Sequence, residues 1–76
     1  MNDLLDKVNE LALDYFGPAA RQFISRQIGI HLYIDADELS AKHLEVLAEW
    51  VEKSGKRIIS KEKSAELAEK IRRLNE

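Results

Sequence analysis

The side chains that could take part in catalysis are few and show no catalytic spacing. The chain has two histidines, His31 and His43, and no cysteine. The serines that could act as nucleophiles beside them are Ser25, Ser40, Ser54, Ser60 and Ser64. Their spacing does not favour a Ser–His–Asp site, and the three glycines form no phosphate-binding loop. Because a helical domain of this size rarely encloses a substrate-sized pocket, we expect a protein that is not an enzyme and needs no cofactor.

A metal site would require His31 and His43 to meet Asp35 and Asp37, which an intervening loop could bring together. The spacing of these four residues matches neither the structural zinc patterns nor the calcium-binding loop. The sequence therefore predicts no bound metal ion.

Charge is strongly segregated along the chain, although the net charge is only −2. The segment charges are −3 for residues 1–16, +2 for residues 17–34, −5 for residues 35–52 and +4 for residues 53–76. A basic footprint of the kind that nucleic acids attract is present only near the C-terminus. The distribution predicts helix faces of opposite charge.

An acidic stripe, consisting of Asp6, Glu10 and Asp14, lies on one face of the first predicted helix. Like charges four residues apart destabilise an isolated helix by about 0.2–0.5 kcal/mol per pair. Two interpretations are open: an ordinary solvated face, or a docking face for a basic partner. The basic residues that could bind a partner are Lys56, Arg57, Arg72 and Arg73.

Three hypotheses follow, two from the charge pattern and one from the small size of the core. The first is a non-catalytic protein–protein interaction or regulatory module that uses charged helix faces. The alternative is a small nucleic-acid-binding helical protein that uses the basic C-terminal segment, although Glu62, Glu66 and Glu69 there would face phosphates unfavourably. The third is a homodimer that covers an apolar patch on a small core. No membrane partner is expected, because no run approaches about 18 apolar residues.

The corner at Gly17–Pro18 divides the first two predicted helices. Apolar residues at helical spacing predict helix 1 over Asp3–Phe16, with Asn2 or the aspartate after it as N-cap. Glycine just past one helix and proline at the first position of the next are expected at such a corner. Helix 2 is predicted over 18–32, with a bend or an early end near Gly29.

Serine caps organise the second half of the chain. A short helical turn is predicted over 35–39, where an aspartate and a glutamate have the spacing of a capping box. Helix 3 is predicted to begin after Ser40 and to end near residue 53, with Gly55 closing it as the C′ residue. Ser60 is predicted to cap helix 4 over 61–74.

The fold predicted from these elements is all-α: a compact four-helix bundle-like single domain over residues 1–76, with an extra short helical turn near 35–39. The predicted core is Leu4, Val8, Leu11, Tyr15, Phe23, Ile24, Ile28, Leu44, Leu47, Val51, Ile59, Leu67, Ile71 and Leu74. Ile58 is expected to lie under the bundle beside Ile59. Trp50 is interpreted as a core anchor, with an exposed binding residue as the alternative.

Gln27 and His31 lie four residues apart on the apolar arc of helix 2. One interpretation is a core or boundary pair whose polar atoms are satisfied by backbone carbonyls. The other is a polar handle in a groove, or a contact that depends on pH. The sequence alone leaves both interpretations open.

The absence of cysteine, of a secretory signal and of an apolar span predicts a cytoplasmic protein. The segment Asp14–Ala20, followed by an amphipathic helix, a helix bearing Leu, Ala and Trp and a final Glu/Lys helix, resembles small helical modules appended to bacterial and archaeal signalling proteins, including response-regulator-type chains. The similarity is concentrated in residues 11–23, with a looser match of pattern through Leu74. The resemblance implies a non-catalytic regulatory interaction domain and supplies no catalytic residues.

Overall fold

Helical segments make up the secondary structure of residues 2–75, the part of the chain that this computed structural model describes. The α-helices are α1 (Asp3–Phe16), α2 (Ala20–Gln27), α3 (Leu44–Gly55) and α4 (Lys61–Arg72). The shorter segments are 3₁₀ turns at Gly17–Ala19, Ala36–Glu38, Ala41–His43 and Arg73–Asn75, and a π-helical turn at Ile28–Leu32. No strand occurs in residues 2–75, which confirms the prediction of an all-α fold.

Helix α1 begins and ends where the sequence predicts. At its start, Oδ1 of Asn2 accepts a hydrogen bond from the backbone N–H of Leu5 at 3.0 Å. Nδ2 of the same side chain donates to the carbonyls of Asp37 and Leu39, at 2.9 and 2.8 Å. Asn2 therefore satisfies a free amide at the start of α1 and also ties the segment before α3 to that end of the helix.

The corner after α1 is formed by Gly17, whose backbone has φ 60° and ψ −140° and whose N–H donates to the carbonyl of Leu13. Pro18 lies in the first turn of the following helical segment, as predicted, where its missing N–H leaves no hydrogen bond unmade. Predicted helix 2 is composite, because it consists of a 3₁₀ turn, α2 and a π-helical turn that contains Gly29. The chain leaves this segment at Tyr33, which has a left-handed backbone with φ 58°.

Ser40 caps a helical segment as predicted, but this segment is the 3₁₀ turn Ala41–His43, and α3 itself begins later than predicted, at Leu44. The backbone N–H of Ser40 donates to Nδ1 of His43 at 3.0 Å, and the N–H of His43 donates to the Ser40 carbonyl at 2.9 Å. The prediction for Gly55 is wrong, because it is the buried last residue of α3 and has no positive φ. A Cβ there would lie 3.3 Å from Cβ of Ser64 and 3.4 Å from the ring of Phe16, so glycine permits close packing.

Ser60 caps α4 as predicted, since its Oγ accepts a hydrogen bond from the N–H of Lys63 at 3.0 Å. In the connector before it, Ile58 is 65% exposed, so the prediction that it lies under the bundle is wrong. Ile59 is half-buried. The N–H groups of both isoleucines donate to the carbonyl of Gly55 in one tight turn, where helical periodicity does not apply.

The core lies between the four α-helices. Of the predicted core residues, Val8, Phe23, Ile24, Ile28, Leu44, Leu47, Val51, Leu67 and Ile71 are buried, and Leu4, Leu11, Tyr15, Ile59 and Leu74 are half-buried. The core also contains Leu5, Ala12, Ala20, Leu39, Ala48 and Ala68. The largest helix–helix contact joins α3 to α4, and α1 packs against both α2 and α4. The radius of gyration is 10.9 Å, close to the value of about 11 Å expected for a compact chain of this length.

Candidate functional site

The acidic stripe is exposed along α1. None of its members, Asp6, Glu10 and Asp14, forms an ion pair with residues 2–75. The pKa of Lys70 is raised, first by its interaction with Tyr15 and to the smallest extent by attraction to Asp14. Lys7 and Arg21 also lie near the stripe, since each shares the lining of a groove with two of its members. The like charges of the stripe itself repel one another along one helix face, and a basic partner would relieve that repulsion.

The basic residues that were predicted to bind a partner fall into two groups. Nε of Arg72 lies 3.2 Å from Glu45 on α3, and its guanidinium lies 3.7 Å from Glu69. Nε of Arg73 lies 3.3 Å from the same glutamate. Lys56–Arg57 lies in the turn after α3, where both side chains are exposed and form no ion pair within residues 2–75. The positive charge left for an anionic partner therefore lies in that turn more than at the end of α4.

A groove of about 390 Å³ lies between α1 and the corner that follows it. It is lined by Asp6, Asn9, Glu10 and Leu13 from α1 and by Gly17, Pro18, Ala20 and Arg21 from the next segments. The lining residues of α1 are separated by three, one and three positions, which places them on one face of the helix. Two members of the acidic stripe therefore belong to the wall of this groove.

Asn9 lines the groove and is only 7% exposed. Neither Nδ2 nor Oδ1 of its side chain has a hydrogen-bond partner within residues 2–75. A buried amide without partners costs about 1–3 kcal/mol, and native proteins contain few of them. Sequence reasoning missed Asn9, because neither its burial nor its lack of partners follows from the residues next to it.

Leu13 adds apolar surface to the same wall. Its side chain is 54% exposed, and it is not among the predicted core residues. Single exposed leucines are common on protein surfaces, so exposure alone indicates nothing. Here the leucine adjoins Glu10 and the unpaired amide of Asn9 in one groove. The exposed part of this wall therefore combines an apolar and an acidic side chain, whereas both amide atoms of Asn9 are closed to solvent.

Tyr15, Glu66 and Lys70 connect α1 to α4. The hydroxyl of Tyr15 donates to Oε2 of Glu66, and Nζ of Lys70 lies 3.9 Å from that oxygen and 5.2 Å from the centre of the Tyr15 ring. The hydrogen bond from Tyr15 is the main cause that lowers the pKa of Glu66, followed by attraction to Lys63. Burial is the main cause that raises the pKa of Tyr15, and the hydrogen bond to Glu66 raises it further.

Replacement of Tyr15 by phenylalanine is expected to raise the pKa of Glu66. Because folding lowers this pKa, Glu66 stabilises the fold above the ordinary glutamate value of about 4.3, and the contribution is lost as the pH falls through the lowered pKa. The variant should therefore lose less stability than the parent between about pH 5 and pH 3. Carbon-13 NMR titration of the Glu66 carboxyl and thermal unfolding at each pH measure the two effects. An unchanged pKa in the variant would show that the hydroxyl does not act on this carboxylate.

Trp50 and His31 form a stacked pair at the boundary of the core, with ring centroids 3.7 Å apart and planes 2° apart. Nζ of Lys53 lies 4.8 Å from the centre of the Trp50 ring. Trp50 is half-buried and outside the core cluster, so it is a boundary residue and not the predicted core anchor. Gln27 is 5% exposed, and its Oε1 accepts a hydrogen bond from Oγ of Ser54 at 3.0 Å. Gln27 and His31 therefore lie at the core and its boundary, as one of the two interpretations has it, but the partners seen are the side chains of Ser54 and Trp50 and not backbone carbonyls.

Among the described residues, no three His, Asp or Glu side chains are grouped so that they could hold a metal ion. Over the same range, no helix combines the length and the apolar character that crossing a membrane requires. Comparisons with protein-family models, with curated proteins and with solved structures gave no match to this chain. The features that point to a function are therefore the surface of α1 and the groove beside it.

Proposed function

We propose that this chain is a non-catalytic protein-interaction module whose docking face is helix α1. The observation that carries the proposal is the acidic stripe, which is exposed and forms no ion pair within residues 2–75. Its repulsion costs stability in the free chain and is relieved when positive charge approaches. A basic surface on another protein is the partner that this face fits.

Exposed Leu13 gives the same face an apolar contact. Apolar area removed from water contributes about 25 cal/mol per Å², while charge complementarity mainly sets the rate and specificity of association. Binding should therefore combine a salt-dependent part, due to the acidic stripe, with a salt-independent part, due to Leu13.

The proposal also covers the fold of the module, its regulatory role and its cellular location. In a four-helix bundle-like scaffold, α2 and the π-helical turn after it act as one element and hold the corner beside α1. The resemblance of Asp14–Ala20 to modules appended to signalling proteins supports a regulatory role. A cytoplasmic location and the absence of catalysis belong to the same proposal.

Neutralising the acidic stripe tests the proposal. The variant Asp6→Asn, Glu10→Gln and Asp14→Asn is expected to bind the partner about tenfold more weakly, because three exposed charge contacts are lost. The matched control Glu49→Gln, Glu52→Gln and Glu62→Gln changes the net charge equally on other helices and should bind as the parent does. Immobilised chains capture proteins from an extract of the source cells, quantitative mass spectrometry compares the captured sets, and circular dichroism checks folding. Equal capture by both variants would overturn the proposal.

Nucleic-acid binding through the basic C-terminal segment is the alternative, and exposed Lys56–Arg57 favours it. Arg72 and Arg73 are already paired with glutamates, which reduces their charge for phosphates. The two functions predict opposite changes in binding affinity when the acidic stripe is neutralised. Loss of the acids weakens the attraction for a basic protein but removes repulsion towards a polyanion. Fluorescence anisotropy with a labelled random-sequence DNA duplex at low salt separates them.

A further inference from the structure

We infer that the basic partner of the acidic stripe is a second copy of this chain, bound head to tail through a basic patch. The basic patch consists of Arg26 on α2 and of Lys56, Arg57 and Ile58 in the turn after α3. This inference rests on the proposed function and specifies the partner. Its supports are the opposite charges of the two surfaces, the exposed aliphatic side chain in each, and their positions on opposite sides of α2.

The basic patch carries positive charge that residues 2–75 leave unpaired. Arg26, Lys56 and Arg57 are all exposed, and none of them forms an ion pair within that range. A groove of about 210 Å³ opens in the patch and is lined by Ala19, Gln22, Phe23, Arg26 and Ile58. None of these lining residues is acidic, so a carboxylate that approaches the groove meets positive charge only.

Helix α1 presents the opposite charge. It contains four acids and one lysine, a net charge of −3, and the acidic stripe extends over about 12 Å of the helix axis. Lys7 and Arg21 adjoin the stripe but form no ion pair with it, so the face remains acidic. Stripe and patch thus each carry three unpaired charges, of opposite sign. Such complementarity steers two proteins towards one orientation.

Each surface also exposes one aliphatic side chain beside its charges. Leu13 is 54% exposed and lies three residues after Glu10 and one residue before Asp14. Ile58 is 65% exposed and directly follows the two bases of the turn. The groove beside Ile58 is smaller than the usual sites for small molecules, and its size suits a single side chain. Leu13 of one copy therefore fits this groove while the neighbouring acids meet the bases.

The positions of the two surfaces favour a head-to-tail contact. Ala20 and Arg21 line the groove beside the stripe, whereas Gln22, Phe23 and Arg26 line the groove of the patch. With 3.6 residues per turn, these two sets point about 160° apart around α2. A twofold-symmetric dimer would need both surfaces in one interface, which this arrangement opposes. Each copy therefore uses its stripe on one neighbour and its patch on another.

Sedimentation equilibrium of the parent chain tests for this association. A contact of this small size should have a dissociation constant between about 10 μM and 1 mM. The weight-average mass should rise over this concentration range and exceed twice the monomer mass, since a head-to-tail assembly does not stop at the dimer. Raising the salt concentration to about 1 M should weaken the association, because exposed charges are then screened.

Two variants that each lack one surface test the pairing of stripe and patch. The stripe variant is Asp6→Asn, Glu10→Gln and Asp14→Asn, and the patch variant is Arg26→Gln, Lys56→Gln and Arg57→Gln. Each variant alone should associate about tenfold more weakly than the parent. An equimolar mixture should form a one-to-one complex, because the intact patch of the first variant meets the intact stripe of the second. This complex cannot grow, since both of its outer surfaces are neutralised.

Matched controls keep the net charge equal to that of each variant. They are Glu49→Gln, Glu52→Gln and Glu62→Gln for the stripe, and Lys42→Gln, Lys53→Gln and Lys61→Gln for the patch. Both controls should associate as the parent does, and circular dichroism checks that every variant is folded.

The aliphatic part of the contact has its own variant. Ile58→Gln should weaken the association about fivefold, because apolar area no longer leaves water on binding. The matched control Val46→Gln replaces another exposed aliphatic side chain, which lies on α3 outside both surfaces, and should have no effect.

Two results would overturn the inference. One is a parent chain that remains monomeric at about 1 mM and low salt. The other is a mixture of the stripe and patch variants that associates no better than either variant alone. If the parent is monomeric and the patch variant loses binding to the DNA duplex, the patch belongs to the nucleic-acid alternative.

The capture experiment distinguishes this failure from failure of the proposed function. A monomeric parent that still captures a different protein through the acidic stripe would leave the proposed function standing, and only the choice of partner would be wrong. If capture is also independent of the stripe, both the inference and the proposed function fail.

Discussion

Replacing Leu47 with alanine is expected to lower the free energy of unfolding by about 2–5 kcal/mol. The side chain is fully buried in the first half of α3, which packs on α4, on α2 and on the π-helical turn. Truncation removes apolar atoms from the core and leaves a cavity that helices held from several sides cannot close. A domain of 76 residues has about 4–11 kcal/mol of stability, so the loss could approach the whole of it.

Urea unfolding followed by circular dichroism measures this loss, with Val46→Ala as the matched control. Val46 is the preceding residue on the same helix and is 44% exposed. Its truncation should change the stability by less than about 0.5 kcal/mol, because little buried area is lost and alanine favours the helix. A Leu47→Ala protein as stable as the parent would show that the core is assigned wrongly.

Helical periodicity predicted which residues of the long helices are buried, because buried positions recur with the helix period of 3.6 residues. Leu44, Leu47 and Val51 on α3 are spaced three and four apart, and all are buried. The same rule failed for Ile58, since a turn has no fixed side-chain period. Caps were predictable for a related reason: Asn2 and Ser60 act on amides within three residues of themselves.

Residues whose roles depend on distant parts of the chain could not be predicted from local pattern. Gly55 has the sequence context of a helix terminator, but contacts with Phe16 and Ser64 decide its role. His31 was recognised as a polar residue on an apolar arc, but its partner Trp50 comes from another helix. These contacts are set by how the helices pack, which local spacing does not specify.

The candidate site was predicted only in its charged part. The acidic stripe follows from three carboxylates at a spacing of four residues. The groove was not predictable, because it forms between α1 and residues after the corner. The importance of Asn9 became visible only when its burial and its missing partners were known, and neither property is encoded in residues next to it.

Replacing Gly17 with alanine is expected to lower the free energy of unfolding by about 1–3 kcal/mol. The backbone at this position has φ 60° and ψ −140°, close to a region that is essentially restricted to glycine. Left-handed helical residues such as asparagine tolerate positive φ only with positive ψ, so the usual substitute for glycine does not suit this corner. The strain would fall on the turn that joins α1 to α2 and shapes one end of the groove.

The control Gly29→Ala separates backbone strain from lack of space. A Cβ at either glycine would have no neighbouring atom within 4 Å, but only Gly17 has a positive φ. Gly29→Ala should therefore stabilise the protein by up to about 1 kcal/mol, since alanine favours a helical backbone and has fewer unfolded conformations. Urea unfolding of both variants measures this difference in sign.

A chemically synthesised chain with D-alanine at position 17 tests whether backbone chirality sets the cost at this corner. For a D-residue, φ 60° and ψ −140° is the mirror image of the relaxed polyproline conformation, so the corner should form without strain. The D-alanine protein should be at least as stable as the parent, whereas the L-alanine protein should not. Equal destabilisation by both enantiomers would mean that contacts of the added methyl group, and not the chirality of the backbone, set the cost at this corner.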